Sequence, residues 1–243
     1  MKAAKAASTA PATDFDMVYA WSPSPSAQTL SLPEQIAERI GNAIIQGRYE
    51  PGARIQEQDV ADQFQVSRGP VREALRILER DGLVQIHARR GAQVTQLNVG
   101  EVNDLFEVRI SLIGLAARLA AERRDPEFLA KMRAGVERIS EIAKNGDADA
   151  YTNAVYRQNL LLAEGSGNRF LRNMVFSLAH QTLRYSRLGL STPKRRAQSM
   201  RNWRLLLAAI QGNAPKAAQE AAEKLVRDSR DTAVKMLRQE KVE

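Results

Sequence analysis

At 243 residues, 44% of them hydrophobic and 26% charged, the chain is long enough for two modest domains, each with its own core. It contains no cysteine, which excludes a disulfide framework and a thiolate metal site. No apolar run approaches the ~20 residues a bilayer crossing needs, and the opening MKAAKAASTAPATDFD is too weakly apolar for a signal peptide, so a cytoplasmic protein is expected.

The net charge of +8 points toward a polyanionic partner, but its distribution does not locate one. Residues 29–97 hold nine Arg against nine acidic residues, whereas 98–243 hold 25 basic and 17 acidic residues. Bulk charge therefore marks the second half, and only the pattern of arginines distinguishes the first.

Residues 1–28 are rich in Ala, Ser, Thr and Pro, with Ser-Pro-Ser-Pro-Ser at 22–26. They lack any amphipathic period, so a disordered tail is expected. Ser31 and Glu34 have capping-box spacing with Pro33 in the first turn, and Ile36, Ile40 and Ile44 then share one helical face up to Gly47. Tyr49-Glu50-Pro51-Gly52 reads as a turn. A short helix over about 57–64 buries Val60, Ala61 and Phe64, and after Gln65-Val66 a second helix runs from Ser67 to about Arg80. Two helices joined so tightly must cross steeply, as in a helix-turn-helix. Asp81-Gly82 stops the second helix. Val84 and Ile86, then Ala92 and Val94, alternate with polar residues around a turn at Arg89-Arg90-Gly91, which predicts a β-hairpin wing.

From Asn98 onward every signal is helical. Six helices are predicted near 99–124, 126–144, 147–164, 168–189, 194–211 and 213–239, and short links favour an antiparallel bundle. The expected fold class is thus mainly α, a winged helix-turn-helix of three helices plus a small β-hairpin followed by an all-helical bundle. Domain boundaries are expected at 29–97 and 98–243.

The helix from Ser67 carries the chemistry. Val71, Ala74, Leu75 and Leu78 form its buried stripe. Arg68, Arg72, Arg76 and Arg80 recur every four residues, drifting only about 40° per step, and so line the opposite face. A guanidinium fork suits guanine O6 and N7 in the major groove, or a phosphate. Ser67 stands at the helix start, where free amides suit a phosphate oxygen, and Gly69 lets the backbone come close to DNA. An exposed helix whose arginines pair with Glu73 and Glu79 is the competing reading, and the flanking helix, turn and hairpin weigh against it.

The run Gly47, Pro51-Gly52, Val66-Ser67-Arg68-Gly69-Pro70-Val71-Arg72-Glu73-Ala74-Leu75, Leu78-Glu79, Gly82-Leu83, Arg90-Gly91 and Val94 resembles the DNA-binding domain of the GntR family of bacterial regulators. The resemblance spans about 31–97. It implies that Ser67, Arg68, Gly69 and Arg72 contact double-stranded DNA, with the wing turn near Arg89, Arg90 and Gly91 reaching the adjacent minor groove; Arg76 extends the same stripe. Gly69 stands where the family more often has Thr, so one hydroxyl contact is missing.

The helical half, with Val108-Arg109 in its first helix and Gly165-Ser166-Gly167-Asn168 between two others, is similar to the ligand-binding domain of the FadR branch of that family. Many of its members hold a divalent metal on one Asp and three His. Alignment on Ser166-Gly167-Asn168 and on Ile210-Gln211-Gly212-Asn213 puts Val155, Asn159, Trp203 and Lys224 at those four positions. The two histidines, His87 and His180, fall elsewhere, so neither metal nor other cofactor is expected. Arg109 interrupts the apolar stripe Val102, Leu105, Phe106, Leu112, Ile113 and Ala116, and a buried cation must find a partner. With Asn159, Trp203 and Lys224 it offers a site for an anionic effector. The alternatives are an internal salt bridge for Arg109 and a snorkelling Lys224. Residues 157–204 carry ten Lys or Arg against Glu164 alone, which fits effector attraction, DNA contact or a solvated face, the last being the usual outcome for such a run.

These readings converge on a homodimeric regulator bound to a short palindromic operator and responsive to a small, anionic metabolite. A constitutive DNA binder whose second domain only dimerises is the alternative. An enzyme is poorly supported, since there is no cysteine nucleophile, metal cluster or glycine-rich phosphate loop.

Overall fold

The computed structural model describes residues 30–87 and 91–239. The tail at 1–28 and the wing-tip residues Arg89 and Arg90 lie outside them.

The order of elements is α1 (Leu32–Ile45), β1 (Arg54–Ile55), α2 (Glu57–Phe64), α3 (Arg68–Arg80), β2 (Val84–His87) and β3 (Gly91–Val94). Six further helices follow, α4 (Val99–Arg123), α5 (Pro126–Asn145), α6 (Ala148–Gly165), α7 (Arg169–Gly189), α8 (Pro193–Gln211) and α9 (Pro215–Gln239).

In α1 the Glu34 carboxylate accepts from both the amide and the hydroxyl of Ser31, at 2.7 and 2.6 Å, which fixes the helix start. Ile36, Ile40 and Ile44 are buried against Val60, Ala61, Val71, Ala74, Leu75 and Leu78, so all three helices share one core. Gln65, in the left-handed region at φ 54°, makes the tight turn between α2 and α3.

The sheet has three antiparallel strands in the order β1-β3-β2, not the two of a simple hairpin. The extra strand pairs Arg54 with Gln93 and Ile55 with Ala92. Two residues are too few to show an alternating pattern, so the sequence reads there only as the end of a turn. Val84, Ala92 and Val94 face the core as their alternation predicts, but Ile86 is 41% exposed. It lies on the edge strand, where its amide donates to Glu79 Oε1 at 2.9 Å.

In the helical half, α4 packs chiefly along α9. The contact is close because the faces are small: Ala116, Ala117, Ala120 and Ala121 of α4 and Ala218 and Ala222 of α9 are fully buried. Phe106, Met132, Ile139, Tyr151, Leu162, Trp203 and Leu206 fill the remaining core. Among the described residues, no helix is long and apolar enough to cross a membrane.

Helix α7 joins the halves. Its Ala179 and Leu183, with Tyr156 of α6, complete the core of the first half. His180 Nδ1 lies 3.6 Å from Asp81 Oδ2, at the C-terminal cap of α3. Next to it Gly82 turns at φ +71°, a left-handed conformation that favours glycine, and a Cβ there would press on the Gln181 side chain. Arg187 donates to the Ile45 carbonyl at the end of α1 (3.4 Å) and to Asp149 (2.8 Å).

Candidate functional site: an arginine-faced helix and a buried cationic cavity

Helix α3 presents two faces. Val71, Ala74, Leu75 and Leu78 are at most 2% exposed, whereas Arg68, Arg72, Arg76 and Arg80 all face solvent. Ser67 occupies the N-cap with extended backbone, but its hydroxyl makes no capping hydrogen bond. Space beside Gly69 is open, the nearest atom to a would-be Cβ being Ser67 Oγ at 3.9 Å. Gly91 opens β3 at φ +79°.

The arginines of α3 are held by neighbours on the surface. Arg68 Nε donates to Gln58 Oε1 at 2.7 Å, and Arg72 Nε to Glu57 Oε2 at 2.8 Å, both from the first turn of α2. Arg76 pairs with Glu73 at 3.0 Å along its own helix. The pairings of Arg68 and Arg72 run through Nε and do not use the paired Nη groups that grip a base edge or phosphate. Exposed pairs of this kind contribute about 0–1 kcal/mol, so they orient the side chains without committing them.

The second site is inside the bundle. Arg109 of α4, Asn159 and Val155 of α6 and Trp203 of α8 line one cavity. Arg109 is 8% exposed, donates from Nη1 to Ser186 Oγ of α7 at 2.7 Å, and lies 5.7 Å from the Phe106 ring centre. Burial pushes its pKa down to about 10, still protonated at neutral pH. Among the described residues it makes no ion pair with a carboxylate. The internal salt bridge considered from the sequence is therefore not formed.

Lys224 is not brought to this cavity. Its side chain is 54% exposed and pairs with Asp228 at 3.1 Å. The inward stripe of α9 includes Ala218, Ala222, Leu225, Val226 and Ser229, and Lys224 lies off it. Adjacent alanine pairs at 217–218 and 221–222 leave the helical phase open by one residue, about 100°.

A second arginine takes the place expected of Lys224. Arg195 of α8 is 6% exposed and donates from Nε to the Asp228 carbonyl at 3.2 Å, while Nη1 and Nη2 are buried with no hydrogen-bond partner among the described residues. Trp203 Nε1 and Ser229 Oγ are likewise buried without partners. The spacing Arg195, Ser199, Trp203, Leu206, Ile210 is a helical stripe that would have revealed Arg195, had Lys194-Arg195-Arg196 not read as a solvated basic run. The cavity is small, about 20 Å³, room for roughly one water.

Comparison with known proteins places both halves. Residues 104–228 match the FCD domain, and residues 32–94 match the bacterial regulatory proteins of the gntR family. An uncharacterized HTH-type transcriptional regulator of Bacillus subtilis, YdhC, is 34% identical over 145 residues, covering 58% of this chain and 63% of that protein. The galactonate operon transcriptional repressor of Escherichia coli is 25% identical over 222 residues, covering 83% of this chain and 96% of the repressor. Matches to two further relatives span about half of their lengths, 49% and 54%. The solved structure of E. coli McbR/YncC superposes with a TM-score of 0.74 at 21% identity, over 87% of this chain and 99% of that one, and so shares the fold. The chain belongs to the FCD domain family and carries in front of that domain one of the gntR family of bacterial regulatory proteins.

Proposed function

We propose that this protein is a cytoplasmic, homodimeric transcription regulator that binds a short palindromic operator and is modulated by a small organic anion held in its helical bundle. The observation that carries the DNA-binding part is α3, with three arginines engaged only by surface neighbours on the face opposite its core. Inserted in the major groove, Arg68 and Arg72 would exchange Gln58 and Glu57 for a base edge or phosphate, and the wing with Gly91, Arg89 and Arg90 would lie over the minor groove. A two-fold dimer matches a palindrome by presenting α3 once per half-site.

The effector part rests on Arg109, a buried cation whose nearest partner is a neutral hydroxyl. An anion there gains a charge-assisted hydrogen bond worth about 1.5–3 kcal/mol. Since the cavity has room for about one water, an organic anion enters only as lining side chains move outward. Helix α7 supplies Ser186 and Leu190 to that lining and His180, Gln181 and Arg187 to the first half. A ligand that favours the opened bundle thereby biases the placement of α3, which is what release from DNA demands.

The small cavity also favours a second reading, a constitutive DNA binder whose bundle only dimerises. A gel-shift assay on DNA upstream of the protein's own gene and its neighbours, with metabolites of those neighbours added, separates the two. A specific shift reversed by an anionic metabolite supports the first reading. A shift that no metabolite alters supports the second, and no specific shift at all overturns both.

A further inference from the structure

We propose that the bundle cavity is a two-arginine site for a compact dianion, bearing two carboxylates or one phosphate; this rests on the effector reading above. Eleven residues from five helices line the cavity, and none of them is acidic, while two, Arg109 and Arg195, are cationic. Both residues are more than nine-tenths buried. Lining residues also carry buried donors left without partners, Arg195 Nη1 and Nη2, Trp203 Nε1 and the hydroxyl of Ser229. The nearest acid, Asp228, is occupied: its carboxylate accepts from Gln198 (2.9 Å), Asn202 (2.8 Å) and Lys224 (3.1 Å), and it meets Arg195 Nε only through its backbone carbonyl (3.2 Å).

Arg109 has no carboxylate partner, and Arg195 feels the Asp228 and Asp231 carboxylates across space while its Nη groups stay without acceptors. A neutral ligand leaves the Arg109 charge unanswered, and a monoanion serves one guanidinium at a time. A dianion serves both and gives the orphaned donors acceptors. Arg109 and Arg195 come from different helices, α4 and α8, so one ligand bridging them also ties those helices together. Val155, Leu190, Leu225 and Val226 form the apolar remainder of the wall, and its small size favours a short ligand.

The test uses propionate, malonate and inorganic phosphate as probes, at matched ionic strength and a mildly alkaline pH where phosphate is doubly charged. Binding to the full chain is read by calorimetry and by the rise in Tm. Malonate, phosphate or both should bind about ten-fold or more tighter than propionate. Which one does so identifies the paired carboxylates or the phosphate as the natural group. Arg195→Met should erase that preference while leaving propionate binding in place; Arg195→Lys should keep part of it. Arg109→Met should lose all three, and Lys216→Met, an exposed charge loss, should change nothing. Equal binding of propionate and the dianions, or an Arg195→Met variant that keeps the preference, overturns the dianion site but leaves the anionic-effector reading standing. Failure of all three probes to bind the wild-type chain overturns both.

Discussion

The same side chain does opposite work in the two halves of this molecule. On α3 the arginines stand in solvent, lightly held by Gln58, Glu57 and Glu73, and none supports the core. In the bundle Arg109 and Arg195 are buried among helices with no carboxylate on the cavity wall, at a cost to stability. A third kind sits beside them: Arg196 is also buried, but its guanidinium donates to the carbonyls of Leu190, Ser191 and Gly146 at 2.7–3.2 Å. Burial alone therefore does not separate a structural arginine from a binding one. What separates them is whether the protein itself satisfies the guanidinium.

That distinction can be broken by stability measurements, where the largest effect is expected. Arg196→Met strips three carbonyls of their donor and should cost about 3 kcal/mol in chemical denaturation. Arg109→Met replaces a buried charge that has no carboxylate partner with an apolar group of similar length and should leave stability unchanged or raise it. Arg195→Met, which also takes one donor from the Asp228 carbonyl, should cost at most about 1 kcal/mol. Losses for these two as large as for Arg196→Met would mean that the structure, not a ligand, requires them.

On α3 the readout moves to DNA. Arg68→Ala and Arg72→Ala should each weaken operator binding by about 1–3 kcal/mol if they hold a base bidentately, with little change in Tm, since neither touches the core. Wild-type operator affinity and preference in the double variant would remove α3 as the reading element.

The recognition helix and the six bundle helices were legible in the sequence because apolar residues recur there at helical spacing over many turns. Val71, Ala74, Leu75 and Leu78 define both the buried face and, by opposition, the arginine face. Strand β1 was not legible, because a two-residue strand is defined by its partner on β3 and has no period of its own. Of the effector residues, Arg109 was legible as a charge interrupting an apolar stripe. Arg195 was not, because a charge within a basic run reads as solvated, and its burial follows from how α8 docks on α9. Lys224 failed for the opposite reason, its helix having two alanine-lined phases to choose from.

Smaller effects sharpen the surface side of the comparison. Glu57→Gln releases Arg72 from its carboxylate partner and should tighten operator binding by up to about 1 kcal/mol, most visibly at low salt. Weaker binding would show instead that Glu57 pre-positions the guanidinium. The smallest expected effect is none: with Val155, Asn159, Trp203 and Lys224 in place of one Asp and three His, elemental analysis of purified protein should find no stoichiometric metal, and a chelator should leave Tm unchanged. One equivalent of tightly bound metal per chain would contradict the register on which those four positions were assigned.

The most direct test of the account is a titration of operator-bound protein with a panel of organic anions, followed by fluorescence anisotropy of labelled DNA. The wild-type chain should be released by one of them, less effectively as salt rises. Arg109→Met, which keeps much of the side-chain volume and removes the charge, should bind the operator as the wild type does and ignore the same ligand. An Arg109→Met protein that still releases DNA fully, or an effector that proves to be uncharged, would contradict the claim that this buried guanidinium is the effector's partner.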